Sequence, residues 1–251
     1  MITSDQTPSL SDIFPAKPNY VNYVNYLINW SLKKKIIYIE TPKVGSTTIK
    51  QILQYAEFDF DMAKMQTNDH DHVHNRARSP LKSPSYNEEQ FLNCLGSKEY
   101  FTFSFVRNPF TRVLSAYLDK IVGKSGTTNR IQQQMGIDPS RYIPTFEEFI
   151  DIVYNQSIED MNPHWTPQTS LLGIDKIRYD FLGRFEFFED SIMQLINKAE
   201  LRVPEGAFGL GKGHATSADT RLQDNYTSKA INRVQEIYSK DFERLGYGWS
   251  L

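Results

Sequence analysis

The sequence predicts one α/β domain in which a mostly parallel central sheet is flanked by helices on both faces. Two observations carry that expectation. The runs "KIIYIE" and "YFTFSFV" are short, apolar and rich in β-branched and aromatic residues, and each feeds straight into a helical segment. The composition agrees, because 39% hydrophobic and 13% aromatic residues over 251 positions supply a sizeable core. No internal repeat or shift of composition marks a second domain. Residues 1–19 therefore read as an extended N-terminal arm and 20–251 as a single domain.

The arm is rich in Ser, Thr, Pro and Asp. In "YVNYVNYLINW", Val21, Val24, Leu27 and Ile28 fall at helical spacing, which predicts an amphipathic helix packed on the domain. A first strand over about 35–41 stops at Pro42, and a helix over about 46–57 follows. Residues 61–90 are polar and aperiodic and read as a long loop with short helical pieces. The second strand occupies 100–109, and "PFTRVLSAYLDKI" continues as a helix with Asn108 as N-cap and Pro109 at its first position. Residues 123–144, rich in Gly, Ser, Thr, Asn and Gln, read as a mobile loop or insertion. "TFEEFIDIVYN" is a Thr-capped helix, "HWTPQTSLLG" is irregular, and "KIRYDFLGRFE" is a third strand. "EDSIMQLINKAE" and a long final segment over 228–244 complete the helices.

Charge and cysteine content narrow the function. A formal charge of −2 argues against a sequence-independent nucleic-acid binder, which needs a basic surplus. The single cysteine, Cys94, allows no internal disulfide and no cysteine-based zinc site. The opening residues lack a basic n-region and an apolar core, and the longest early apolar run is too short to span a bilayer. The expectation is a soluble, cytoplasmic protein without a membrane span.

"ETPKVGSTTIK" (40–50) is the first functional signal. A strand that ends in a tight turn and enters a helix leaves several backbone N–H groups unpaired, and the helix dipole adds positive charge beside them. An anion is the natural occupant. Gly45 permits close approach, Ser46, Thr47 and Thr48 add hydroxyls, and Lys43 adds a charge. The triphosphate-binding pattern GxxxxGK[ST] is absent, since the lysine precedes the glycine. The bland alternative is an ordinary turn whose Ser and Thr cap a helix.

"SFVRNPFTRVLSAYLDK" supplies a second strand end of the same kind. Arg107 closes the strand, and Ser115 lies about 9 Å along the following helix at 1.5 Å per residue. A guanidinium fork suits a phosphate monoester. Two anion-binding strand ends in one small domain point to a ligand with two separate phosphate groups.

With these segments in place, the chain resembles the carbohydrate sulfotransferases. The likeness is to the branch that holds the chondroitin, dermatan and HNK-1 enzymes and their bacterial relatives. "TPKVGSTTIK" resembles that family's 5′-phosphosulfate loop and "FVRNPFTRVLSAYLDK" its 3′-phosphate motif. "NPHWTPQTSLL" with "YDFLGRFEFFEDS" is similar to a third block, and "IYSKDFERLGYG" to the closing helix. The four blocks stand in family order across residues 36–248. The resemblance implies a three-layer α/β fold of the P-loop nucleotide-kinase kind. It also implies 3′-phosphoadenosine 5′-phosphosulfate (PAPS) as sulfate donor, with the 3′,5′-bisphosphate PAP as product. Lys43, Gly45, Ser46, Thr47 and Thr48 would hold the 5′-phosphosulfate, and Arg107 and Ser115 the 3′-phosphate. Golgi members of the branch carry a membrane anchor and paired cysteines, and the matching places here read Ser and "LLGI".

Sulfuryl transfer also needs charge neutralised on the leaving phosphate and a base for the acceptor hydroxyl. Lys43 is the candidate for the first role. For the second, "NDHDHVHNRARSPL" offers His70, His72 and His74. The resemblance aligns His74 best, with His72 as the alternative. Such alternating histidines also suit a metal, although PAPS chemistry needs none. Arg76 and Arg78 are candidates to steer an anionic acceptor. His164 in "NPHWTPQ" competes as base but reads as structural, and Glu186 in "GRFEFFED" serves the acceptor site, orients a basic side chain or is structural. "GLGKGHAT" is a candidate cover for the adenosine, with Lys212 near a phosphate. The expected partner is a glycan or other small hydroxylated molecule, with the acceptor itself left open by the sequence. A small-molecule kinase and a catalytically silent nucleotide-binding protein remain as rivals.

Overall fold

A computed structural model describes residues 9–61, 73–123, 126–138, 140–203 and 221–251. Four strands among them form one sheet in the order β1–β2–β3–β4: β1 (Ile28–Ser31), β2 (Ile36–Ile39), β3 (Phe101–Val106) and β4 (Phe181–Arg184). β2, β3 and β4 run parallel, and β1 joins the edge antiparallel. The helices are α1 (Leu10–Ile13), α2 (Tyr20–Leu27), α3 (Ser46–Glu57), α4 (Glu88–Leu95), α5 (Pro109–Lys120) and α6 (Gly126–Gln134). They continue with α7 (Phe146–Tyr154), α8 (Gln168–Leu171), α9 (Phe188–Lys198), α10 (Leu222–Asn225), α11 (Ser228–Ile237) and α12 (Ser239–Leu245).

Strand side chains alternate between faces, so the sheet divides the interior in two. Ile37, Ile39 and Val106 enter a core with residues of α1, α2, α5, α7, α11 and α12. Ile36, Tyr38, Phe103 and Phe105 enter the other, against α3 and α9. The Tyr38 and Phe103 rings stack across β2 and β3 at 5.0 Å between centroids. Helices thus flank a mostly parallel sheet, as the alternation of apolar strands and helices predicts. No helix among the described residues is long and apolar enough to cross a membrane.

The helix starts follow the local chemistry. The Asn108 side chain accepts the Phe110 N–H at 2.9 Å with Pro109 at the first position of α5. Thr145 and Glu148 form a reciprocal capping box at the start of α7.

Several expectations are corrected. The predicted helix over 20–30 stops at Leu27, and Ile28–Ser31 is a strand whose four residues are all buried. Its inner edge pairs with β2, and its outer edge takes two backbone bonds with Lys82, at 2.9 and 2.8 Å. Isoleucine and tryptophan fit a pleated, buried surface as readily as a helix, and the pairing partner decides. The arm is not extended from residue 10 onward, because α1 seats Leu10 and Phe14 in the core. The expected mobile loop over 123–144 carries α6, whose Ile131 is buried and whose Gln132 donates to the Ile121 carbonyl at 2.6 Å. The third strand is shorter than 176–186, and the last helix breaks at Tyr238, whose hydroxyl donates to the Trp165 carbonyl at 2.6 Å. α4 begins at the end of the expected loop over 61–90 and runs on to Leu95, where no element was expected.

One close approach is testable. A Cβ on Gly183, in β4, would lie 2.6 Å from the Phe105 ring of β3. Gly183→Ala is expected to cost about 1–3 kcal/mol by overpacking, measured as a lower midpoint in urea with the slope unchanged.

Candidate active site

Parallel register brings the carboxyl ends of β2 and β3 side by side, and neighbouring strands lie about 4.8 Å apart. The turn after β2 carries Pro42–Gly45 and the turn after β3 carries Arg107–Asn108. The two are joined directly, because Arg107 Nη1 donates to the Lys43 carbonyl at 3.3 Å. One ligand can therefore touch both.

The first turn is conformationally costly. Lys43 sits at φ 73° and Gly45 at φ 79°. The left-handed region costs a non-glycine residue about 1–3 kcal/mol, so the turn needs outside support. Arg112 Nε supplies it with a bond to the Pro42 carbonyl at 3.1 Å, besides the one from Arg107. At Gly45 a Cβ would come within 2.6 Å of the Phe188 ring. Gly45 is also the N-cap of α3 and has no side chain to cover the N–H groups at the helix start. Those donors, with Ser46, Thr47 and Thr48 beside them, make the turn a cradle for an anion.

The Lys43 ammonium is paired with Asp119 of α5 at 2.8 Å, and Lys120 reaches the same carboxylate oxygen at 3.1 Å. Burial lowers the Lys43 pKa, opposed by the Asp119 charge, with Lys120 and Arg107 adding to the lowering. Burial would raise Asp119, but Lys43 and Lys120 hold it down to about 2. Arg112, Ser115 and Asp119 are three and four residues apart and share one face of α5. Since Arg112 and Asp119 both touch the turn, Ser115, which is buried, stands between two groups that face it.

His74 lies at the start of α3. Its Nε2 is 3.0 Å from Thr47 Oγ1 and its Nδ1 is 3.2 Å from Lys50 Nζ. Gln54 anchors this segment by donating to the Val73 carbonyl at 2.9 Å. Lys50 in turn pairs with Glu40 at the end of β2, and both are almost wholly buried. Burial would raise the Glu40 carboxyl, but Lys50, with His74 and Arg76 behind it, keeps it below its usual range. An ammonium only donates, so His74 Nδ1 accepts from Lys50, and the neutral ring carries its proton on Nε2, toward Thr47.

The second strand end is more heavily braced. The Arg107 side chain, 4% exposed, donates from Nε to Thr111 Oγ1 at 3.0 Å and lies over the Phe185 ring at 4.3 Å. Its backbone N–H and C=O are bound by the Gln168 amide at 2.9 and 2.8 Å. Glu186 accepts the Asn108 N–H at 2.6 Å and the Tyr247 hydroxyl at 3.1 Å. Glu186 thus holds backbone here and pairs with no basic side chain among the interactions described.

His70, His72 and Lys212 lie outside the described residues. Among the described residues no cluster of three or more His, Cys, Asp or Glu side chains could hold a metal. Arg76 is not a free steering charge, because its guanidinium is half-buried and donates to the Tyr26 carbonyl at 2.6 Å, whereas Arg78 is exposed. His164 is tied down at Asn162, whose side-chain oxygen meets its backbone N–H at 3.1 Å and its Nδ1 at 2.7 Å. Glu40, Lys50, Arg112, Asp119, Gln168 and Asp241 were not singled out from the sequence. The available signal was charge out of place: Lys50 and Arg112 each fall on the buried side of a helix, beside apolar residues such as Ile49 and Val113.

His164 makes a pH prediction. Burial, then Lys120 and Lys43, push its pKa well below the usual 6.5. A histidine depressed in the fold stabilises fully above its unfolded value and loses that contribution as pH falls below it. The melting temperature should therefore drop as pH falls below 6.5, and His164→Gln should flatten that drop.

Comparison with known proteins identifies the family. The Sulfotransferase family profile matches residues 28–248, a span that includes both strand ends. Carbohydrate sulfotransferase 10 of Xenopus laevis is 25% identical over 247 residues, covering 86% of this chain and 65% of its own. Carbohydrate sulfotransferase 11 of Rattus norvegicus is 25% identical over 240 residues, covering 85% of this chain and 64% of its own. Carbohydrate sulfotransferase 14 of Mus musculus is 32% identical over 111 residues, 39% of this chain and 28% of its own. The chain thus spans less than two thirds of the length of these relatives. No solved structure matches it significantly. With the profile running from the first strand of the sheet to the residues just past α12, the chain belongs to the sulfotransferase family.

Proposed function

We propose that this chain transfers a sulfuryl group from PAPS to a carbohydrate hydroxyl, leaving PAP. The observation that carries the reading is the direct contact between the two anion-binding strand ends, Arg107 to the Lys43 carbonyl at 3.3 Å. The names of the similar proteins support a sulfated carbohydrate as product. The parallel β2–β3–β4 sheet and the β2–turn–α3 unit support a fold like that of the P-loop nucleotide kinases.

The residues present fit such a donor. The cradle has an uncapped helix start, three adjacent hydroxyl residues and one lysine, and the neighbouring strand end adds an arginine and Ser115. Lys43, Gly45, Ser46, Thr47 and Thr48 bind the 5′-phosphosulfate, and Arg107 and Ser115 the 3′-phosphate, with Lys212 as a further cation. When bound, the donor supplies a sulfuryl group already activated for in-line displacement. The Lys43 ammonium, turning from Asp119, neutralises the charge that grows on the leaving phosphate.

His74 is assigned as base, with His72 as the alternative. For Nε2 to take the acceptor's proton, the ring proton must sit on Nδ1. Lys50 must then give up that contact and rest on Glu40 alone, an ion pair already in place.

Two measurements test this. PAP should raise the melting temperature by linkage, and adenosine diphosphate should do much less. Arg107→Ala should erase most of that difference, and equal shifts in the unaltered protein would exclude a two-phosphate site and favour a kinase. His74→Ala should keep PAP binding yet lower turnover by about 10² or more. His74→Gln, which can still bond Thr47 but cannot take a proton, should be equally slow. Preserved turnover in the glutamine variant would move the base elsewhere.

A further inference from the structure

Asp241 of α12 is fully buried and accepts four hydrogen bonds from α8. Oδ2 takes the Gln168 N–H at 2.8 Å and Gln168 Nε2 at 3.3 Å. Oδ1 takes the Thr169 N–H and the Thr169 hydroxyl, both at 2.8 Å. A carboxylate only accepts, so it settles which end of the Gln168 amide faces it: the NH2 group. The amide oxygen is then left to meet the Arg107 N–H at 2.9 Å, while Nε2 also reaches the Arg107 carbonyl at 2.8 Å.

This bridge lies just past the last pairing of β3 with β4, Val106↔Arg184, where the sheet no longer fixes the backbone. One residue on, Glu186 takes the Asn108 N–H, itself bonded to Tyr247. Gln168 ahead of β4, with Glu186 and Asp241 beyond it, therefore holds the peptide from which the Arg107 side chain projects. Removing the carboxylate would take away its bonds to the Gln168 backbone and amide, leaving the amide steadied by the Arg107 peptide alone.

We propose that Asp241 and Gln168 form a positioning relay for Arg107, so that the closing helix sets selectivity for 3′-phosphorylated nucleotides. The inference rests on the sulfotransferase reading above and deepens it. Neither residue touches the ligand; they act through the arginine.

The test compares PAP with adenosine 5′-monophosphate, which lacks only the 3′-phosphate, by titration calorimetry on the full chain. Asp241→Asn and Gln168→Met should each weaken PAP about tenfold or more, the equivalent of one lost charge-assisted bond, and the monophosphate less than about twofold. If both nucleotides weaken by the same factor, or neither does, the relay is overturned while the sulfotransferase reading stands. If the unaltered protein fails to distinguish the two nucleotides, that reading falls and the relay falls with it. Should Asp241→Asn fail to fold, Gln168→Met decides alone, because it leaves Asp241 its backbone and threonine donors.

Discussion

The site depends on one buried guanidinium. Arg112, 1% exposed inside α5, donates to the carbonyls of Pro42, Thr166 and Pro163 at 3.1, 3.0 and 3.1 Å. Burying an arginine costs several kcal/mol unless its donors are met. Here three backbone oxygens give each of its three nitrogens a partner, each bond worth about 1.5–3 kcal/mol as one to a charged group. The same bonds hold the turn after β2, the helix after β3 and the segment leading into α8 at fixed separation. Arg107, Ser115 and Asp119 inherit their positions from that arrangement.

Around this anchor the charges fall into two sets with different burdens. Glu40 and Lys50 neutralise each other in near-complete burial, and their surplus donor is directed at His74. Lys43 and Lys120 instead share Asp119, with the Arg107 charge acting on Lys43, which leaves the cradle with more positive than negative charge. A site built this way has its dipoles and cations oriented before any anion arrives, so binding needs little reorganisation. The positive φ at Lys43 belongs to the same turn, whose carbonyls at Pro42 and Lys43 are held by Arg112 and Arg107.

Much of this was legible in the sequence. α3 and α5 begin where Gly45 and Asn108-Pro109 place them, because capping and proline chemistry act over a few residues. The two strands that end at the cradle were equally plain, being apolar runs closed by Pro42 and by Asn108-Pro109. β1 was not, because "INWS" satisfies helical and strand patterns alike until β2 and Lys82 pair with it. Arg76 and Arg78 look equivalent two residues apart, yet one is tied to Tyr26 and the other is exposed.

What the linear order of residues determined alone is a pair of local motifs: a strand end rich in hydroxyls with a lysine, and a second one with an arginine. Local sequence suffices there, since each motif completes its own turn and helix start. Which groups control those motifs was decided only by folding. Lys43 meets Asp119, His74 meets Lys50, and Asp241 meets Gln168 across long stretches of chain. A buried charge must find its partner in space, and nothing in the spacing of residues along the chain names that partner.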